Sequence, residues 1–323
     1  MRSYTHAFAP AIVPAVFILA ACSGAGSGVP DAAAAPTVAG AVSGAAAAAS
    51  GVAATARGWM SPEAKRHGTK VYVADLVRNV VRIYAPGGGN EIGEITTGID
   101  GPYGMWVAPG GSLYVSNVTS GTITVYPDGQ DSPSATLGGA TNVIGVGVSK
   151  SGDVYAAGFG SNAVYYYAKG ATSPTRTVTL PGPEGFGIDA KQNVYAAYNN
   201  GGYSGRVEKY SRGLVNGEDL GIAEGMASDA KIDASGNLLL GDQSNHVINI
   251  FPAGATHPTS SIANPSGIPF KFVLNKKQTL LYVASLSQGT VNVYSYPKGV
   301  LQTTTFNGLL TVSSVAVSPP AMY

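Results

Sequence analysis

Few side chains in this sequence could do chemistry, and their spacing sorts them. Asp100, Glu184 and Glu224, with the amides of Asn142, Asn264 and Asn307, recur at intervals of 40 to 43 residues. Several carboxylate and amide oxygens converging on one point are what a hard divalent cation such as Ca²⁺ or Mg²⁺ requires. The six do not fall in one column of a repeat, however, and Asp and Asn favour loops for their own local hydrogen bonding. Solvated loop residues are the competing reading. His246 and His257 have no carboxylate beside them in their own loops, and no G-x-S-x-G elbow is present, so no catalytic residue is assigned. An extended turn, Tyr198-Asn199-Asn200-Gly201-Gly202-Tyr203-Ser204-Gly205, offers Tyr198, Asn199, Asn200 and Tyr203 as rings and amides to stack on and bond a sugar or peptide. A plain glycine-rich insertion is the alternative there.

Cys22 is the only cysteine, so no intrachain disulfide forms, and with four histidines a Cys/His zinc site has too few ligands. Its setting suggests another role. Arg2 and the apolar run Ala11–Ala21 have the form of a cleaved export signal and are too short for a comfortable membrane span. The end of the run, Leu19-Ala20-Ala21-Cys22, resembles the bacterial lipobox, which implies that Cys22 becomes a lipidated N-terminus and the membrane a partner. Ser23, in place of the aspartate that retains lipoproteins at the inner membrane, points to a cell-envelope protein anchored at the outer membrane. The expected organisation is a signal peptide over 1–21, an Ala/Gly-rich linker over 22–56, a short segment over 57–69 and a folded domain over 70–323. The linker is almost uncharged and aperiodic, a composition that does not bury enough surface to fold.

Lys plus Arg number 19 against 18 Asp plus Glu, a balance that lacks the basic field needed for nucleic-acid binding. The 44 glycines, 20 prolines and 18 tyrosines suit many short strands joined by tight turns better than long helices.

The elements that must position these residues repeat. An apolar-Tyr-Val-Ala strand recurs at Val71–Ala74, Leu113–Ser116, Val154–Ala157, Val194–Ala197, Leu238–Gly241 and Leu281–Ala284. Each is followed by a turn, with Asn79, Gly121, Asn162, Asn245 or Gly289 expected at a positive φ. A second strand then ends in Tyr84, Tyr126, Tyr167, Tyr210, Phe251 or Tyr294, at steps of 42, 41, 43, 41 and 43 residues. Third strands are expected at Ile92–Thr97, Thr175–Leu180 and Gln302–Phe306, and small-residue strands such as Gly145–Ser149 fit the crowded axis of a radial array. The fold class is all-β: a six-bladed β-propeller with four-stranded antiparallel blades. No inner strand precedes Val71, so Thr311–Val317 is expected to enter the first blade and close the ring.

The run Val71-Tyr72-Val73-Ala74-Asp75, Asn79, Ile83-Tyr84, then Gly101-Pro102, Gly104, Val107, Pro109, Gly111 and Leu113-Tyr114-Val115 resembles the NHL repeat. More broadly, residues 70–318 are similar to the SMP-30/gluconolactonase and virginiamycin B lyase propellers. Within the first of these, Pro183-Glu184-Gly185 resembles a metal-binding Glu-Gly turn; the histidine–glutamate pattern of the lyases is not visible. The resemblance implies architecture first, because one propeller fold hosts unrelated activities. Two functions follow as expectations. The favoured one is a binding or scaffolding module, without cofactor, for a protein, peptide or glycan. The other is a Ca²⁺- or Mg²⁺-dependent lactonase or lyase using Asp100, Glu184 and Glu224.

Overall fold

The computed structural model describes residues 58–201, 203–302 and 305–321. The expected signal peptide, Cys22 and the linker lie outside the described residues, as do Gly202, Thr303 and Thr304. Six antiparallel sheets surround one axis. The first contains β1 (Trp59–Met60), β2 (Lys70–Asp75), β3 (Val80–Ala85) and β4 (Gly88–Ile95). The second is β5 (Pro102–Val107), β6 (Leu113–Asn117), β7 (Thr122–Tyr126) and β8 (Ala135–Leu137). The third is β9 (Val143–Val148), β10 (Val154–Gly158), β11 (Ala163–Tyr167) and β12 (Arg176–Thr179). The fourth is β13 (Pro183–Ile188), β14 (Val194–Asn200), β15 (Ser204–Ser211) and β16 (Val215–Asp219). The fifth is β17 (Ala227–Ile232), β18 (Leu238–Asp242), β19 (Val247–Phe251) and β20 (Ser260–Ala263). The sixth is β21 (Pro269–Leu274), β22 (Leu280–Ser285) and β23 (Thr290–Ser295).

The last strand, β24 (Val312–Ser318), lies beside β2, with Lys70 opposite Ser318 and Val71 opposite Val317. The chain's end therefore completes the blade that its beginning started, as the strand count requires. The inner strands β24, β5, β9, β13, β17 and β21 touch in a closed cycle.

The sequence repeat has a direct structural meaning. The first residue of each marker strand pairs across the ladder with the aromatic that ends the next strand: Val71 with Tyr84, Leu113 with Tyr126 and Val154 with Tyr167. Val194 pairs likewise with Tyr210, Leu238 with Phe251 and Leu281 with Tyr294. All six aromatics are buried, so each blade presents a large ring to its neighbour at the same height.

Four of the five expected turn residues, Asn79, Gly121, Asn162 and Gly289, have φ between 50° and 67°. In the fifth blade the expectation of Asn245 is corrected: His246 is left-handed, with φ 56°. Asp242 Oδ1 accepts the Ser244 and Asn245 N–H groups, and its Oδ2 accepts Asn245 Nδ2, which fixes Asn245 inside the turn and passes the left-handed corner to the next residue. The sixth blade brings a second correction. No ladder strand forms at Gln302–Phe306 among the described residues; Leu301 makes one bridge to Tyr294, and Phe306 makes a parallel bridge to Gly89 in the first blade. There the Phe306 ring meets Tyr84 edge-on at 5.3 Å, on the side of the first blade.

Small residues at the axis let the inner strands close up. A Cβ on Gly104 would lie 2.7 Å from the Ile144 carbonyl oxygen, and one on Gly145 would sit on the Glu184 carbonyl. The segment before the propeller is built into it. β1 pairs outside β4, and α1 (Pro62–Lys65), capped by Ser61 Oγ accepting from Ala64 N–H, buries Ala64.

Candidate functional site

The third residues of the inner strands β5, β9, β13, β17, β21 and β24 are Gly104, Gly145, Gly185, Asp229, Lys271 and Ser314, and they line a narrow axial cavity. Half of this layer is glycine; of the other three, Asp229 and Lys271 carry charge and Ser314 a hydroxyl. Lys271 Nζ donates to the Ser228 carbonyl at 2.6 Å and the Glu184 carbonyl at 2.8 Å, and lies 3.4 Å from Glu184 Oε2. Lys231 Nζ pairs with Asp229 Oδ2 at 2.6 Å and donates to the carbonyls of Ala230 and Phe186 at 2.9 and 3.2 Å. Asp229 also accepts the N–H groups of Ala230 and Phe272. The result is a buried quartet of two carboxylates and two ammonium groups, with aromatic faces around the lysines: Lys231 over Trp106 and Phe272, Lys271 over Phe270.

Electrostatics follow from this burial. Glu184 is pushed up to about 7, because desolvation outweighs the lowering by Lys271 and by the Asn199 hydrogen bond, while Asp229 raises it further. Lys231 is drawn below its ordinary value by burial, against the pull of Asp229.

The residues picked out in the sequence are not brought to one point. Asp100 is fastened by its backbone, its N–H donating to Asn117 Oδ1 at 2.9 Å. Glu184 belongs to the quartet. Glu224 accepts from Asn249 Nδ2 at 2.8 Å in the fifth blade and bridges Gly205. The three amides organise loops: Asn142 Oδ1 accepts Gly160 N–H, buried Asn264 Oδ1 accepts the Tyr294 hydroxyl, and the Asn307 carbonyl accepts that of Tyr84. No three His, Cys, Asp or Glu side chains among the described residues lie together as a metal site. A Ca²⁺ or Mg²⁺ centre does not fit the residues present, since the Lys271 ammonium stands beside the Glu184 carboxylate where a cation would have to be. His246 and His257 are exposed turn residues.

The extended turn is largely a hairpin. Tyr198 and Asn199 lie in β14 and are buried, which corrects their expected place on an exposed loop. Asn199 is tied to the channel instead: Nδ2 donates to Glu184 Oε1 at 3.2 Å and the Ala227 carbonyl at 3.0 Å, and Oδ1 accepts Ala227 N–H. Tyr198 donates to Asp219 Oδ2 at 3.4 Å. Asn200 and Tyr203 are exposed at the tip.

A wider depression opens at the other mouth, where the inner strands end. Its walls are largely apolar, including Val107, Val148, Ile188 and Val317, with Trp106 and Lys231 within and Lys150 and Asp189 also on its lining. Sequence reasoning passed over Asp229, Lys231 and Lys271. The missed signal was legible: Asp229, Lys231 and Lys271 are charged residues at inner-strand positions where the other blades mostly carry glycine or an apolar residue.

Together these features define a six-bladed β-propeller whose channel is closed by its own ion pairs. No known family profile and no curated protein matches the sequence. Solved structures do share the fold. A chain of a nidogen/laminin complex superposes with TM-score 0.66 at 14% identity, over 79% of this chain and 100% of that one. A chain of hydrazine synthase from Kuenenia stuttgartiensis gives 0.58 at 17% identity, over 80% of this chain and 88% of that one. A streptogramin B lyase structure is more distant, with TM-score 0.48 at 13% identity over 74% of each chain, and carries no weight here. At such identities the likeness concerns fold alone.

Proposed function

We propose that this chain is an exported, NHL-like propeller, lipid-anchored through Cys22 at the outer membrane, that binds a protein, peptide or glycan without transforming it. One observation carries the reading: the carboxylates buried in the channel, Glu184 and Asp229, are already engaged by Lys271 and Lys231, so the channel offers neither a free base nor a metal cage. The depression at the far mouth supports it by giving a ligand somewhere to sit. The near-equality of 19 basic and 18 acidic residues supports a partner other than nucleic acid.

Calorimetric titration of the protein with Ca²⁺ and Mg²⁺ tests this. The binding reading expects no heat of binding at millimolar metal. Micromolar binding that disappears in Glu184→Gln would replace it with the metal-dependent hydrolase or lyase. Replacing Cys22 by Ser should release the protein from membranes into the soluble fraction; unchanged membrane retention would remove the lipid anchor from the proposal.

A further inference from the structure

The depression where the inner strands end has features that narrow its ligand. Its walls at Val107, Val148, Ile188 and Val317 are hydrocarbon, so they favour an apolar body. Trp106 lines it, is only 8% exposed, and its indole N–H makes no hydrogen bond to a described residue.

The charges around the depression are unequal in availability. Lys231 has its three protons committed to Asp229 and to the carbonyls of Ala230 and Phe186. Asp189 is likewise occupied within its own turn, accepting the Asn193 N–H and Nδ2 at 2.8 Å each and the Tyr195 hydroxyl at 3.4 Å. Lys150 is exposed and has no ion pair among the described residues. The charged group on the lining with hydrogen-bonding capacity still free for a ligand is therefore the Lys150 ammonium.

We propose that this depression is a binding site for an apolar monocarboxylate, with its hydrocarbon between the valine and isoleucine walls and its carboxylate recognised by Lys150 and the Trp106 indole N–H. The assignment rests on the binding-module reading and specifies its ligand class. It places the site at the mouth opposite the loops that carry Asp100 and Glu224.

The chain contains two tryptophans, Trp59 and Trp106, so Trp59→Phe leaves Trp106 as the sole indole reporter. In the full chain carrying that change, octanoate should shift Trp106 emission with a Kd below about 1 mM, and calorimetry on the chain with both tryptophans should give one site. Either 1-octanol in place of octanoate, or Lys150→Met in the protein, should weaken binding at least about tenfold, the loss of one charge-assisted contact. Ala190→Phe, an exposed substitution on the lining, should block the site while leaving the melting temperature unchanged. No emission change and no heat with octanoate at about 10 mM would overturn the site. Equal affinity for octanol and octanoate would overturn the carboxylate assignment alone. Neither result touches the metal titration that decides the binding-module reading, so the two failures are separable.

Discussion

At Gly145 the ring leaves no room for a side chain, because a Cβ there would lie on the carbonyl oxygen of Glu184 in the next blade. Backbone cannot give way as a side-chain end can, so Gly145→Ala should destabilise by about 1–3 kcal/mol. Gly138→Ala, where nothing lies within 4 Å, should change denaturant stability by less than about 0.5 kcal/mol. Equal effects would mean that the inner strands are less tightly apposed than described. The crowding at the axis was legible from the small residues at Gly145-Val146-Gly147. The partner of Glu184 was not, because Lys271 stands 87 residues away and only the radial arrangement of the blades brings them together. Asn199 was misplaced for a related reason: β14 continues to Asn200, and a strand-end amide reads in sequence as a loop residue until its buried acceptors are known. Glu184 also sets a pH dependence. Its folded pKa, about 7, lies above its ordinary 4.5, so protonation favours the folded state. That contribution is fully present below 4.5 and is lost as pH rises through about 7, a change on the order of 3 kcal/mol. Thermal melts should show this decline in the wild type and a flatter profile in Glu184→Gln.

At the scale of elements, the segment before the propeller acts as a strap. β1 extends the outer edge of the first blade, and Lys70, only 2% exposed, donates to the carbonyls of Ala64 and Arg66 and lies 2.5 Å from Asp128 Oδ1 in the second blade. Asp128 also receives the exposed His67 at 2.7 Å. One carboxylate thus joins strap, first blade and second blade. Asp128→Ala leaves the Lys70 ammonium buried without its counter-charge and should cost about 3 kcal/mol. Adding Lys70→Met should recover part of that loss in a double-mutant cycle measured by chemical denaturation; strictly additive losses would show that the pair is not coupled. Sequence periodicity missed the strap because β1 has two residues and α1 a single turn, too short to show alternation or a helical face. The six marker strands were legible for the opposite reason: each repeats an apolar pattern with an aromatic partner one hairpin away.

For the whole molecule, closure is the feature on which the rest depends. Val312, Val315, Ala316 and Val317 in β24 are each at most 2% exposed, and the strand supplies the inner edge of the first blade. Burial of three valines and an alanine is worth several kcal/mol, comparable with the stability of an ordinary domain. A chain ending at residue 308 should therefore be insoluble or lose cooperative unfolding. A soluble truncate with a sharp melt would contradict the closed ring. The radial arrangement of the fourth, fifth and sixth blades joins Glu184, Asp229, Lys231 and Lys271 into one channel quartet.

The side-chain carboxyl ¹³C shift of Glu184, assigned by its loss in Glu184→Gln, reports most directly on whether the channel is satisfied by its own charges. Followed against pH, it should titrate with a midpoint near 7, and that midpoint should stay put when Ca²⁺ or Mg²⁺ is added to about 10 mM. A midpoint driven down by either cation would show that the carboxylate prefers a metal to Lys271, and the binding-module account would fall.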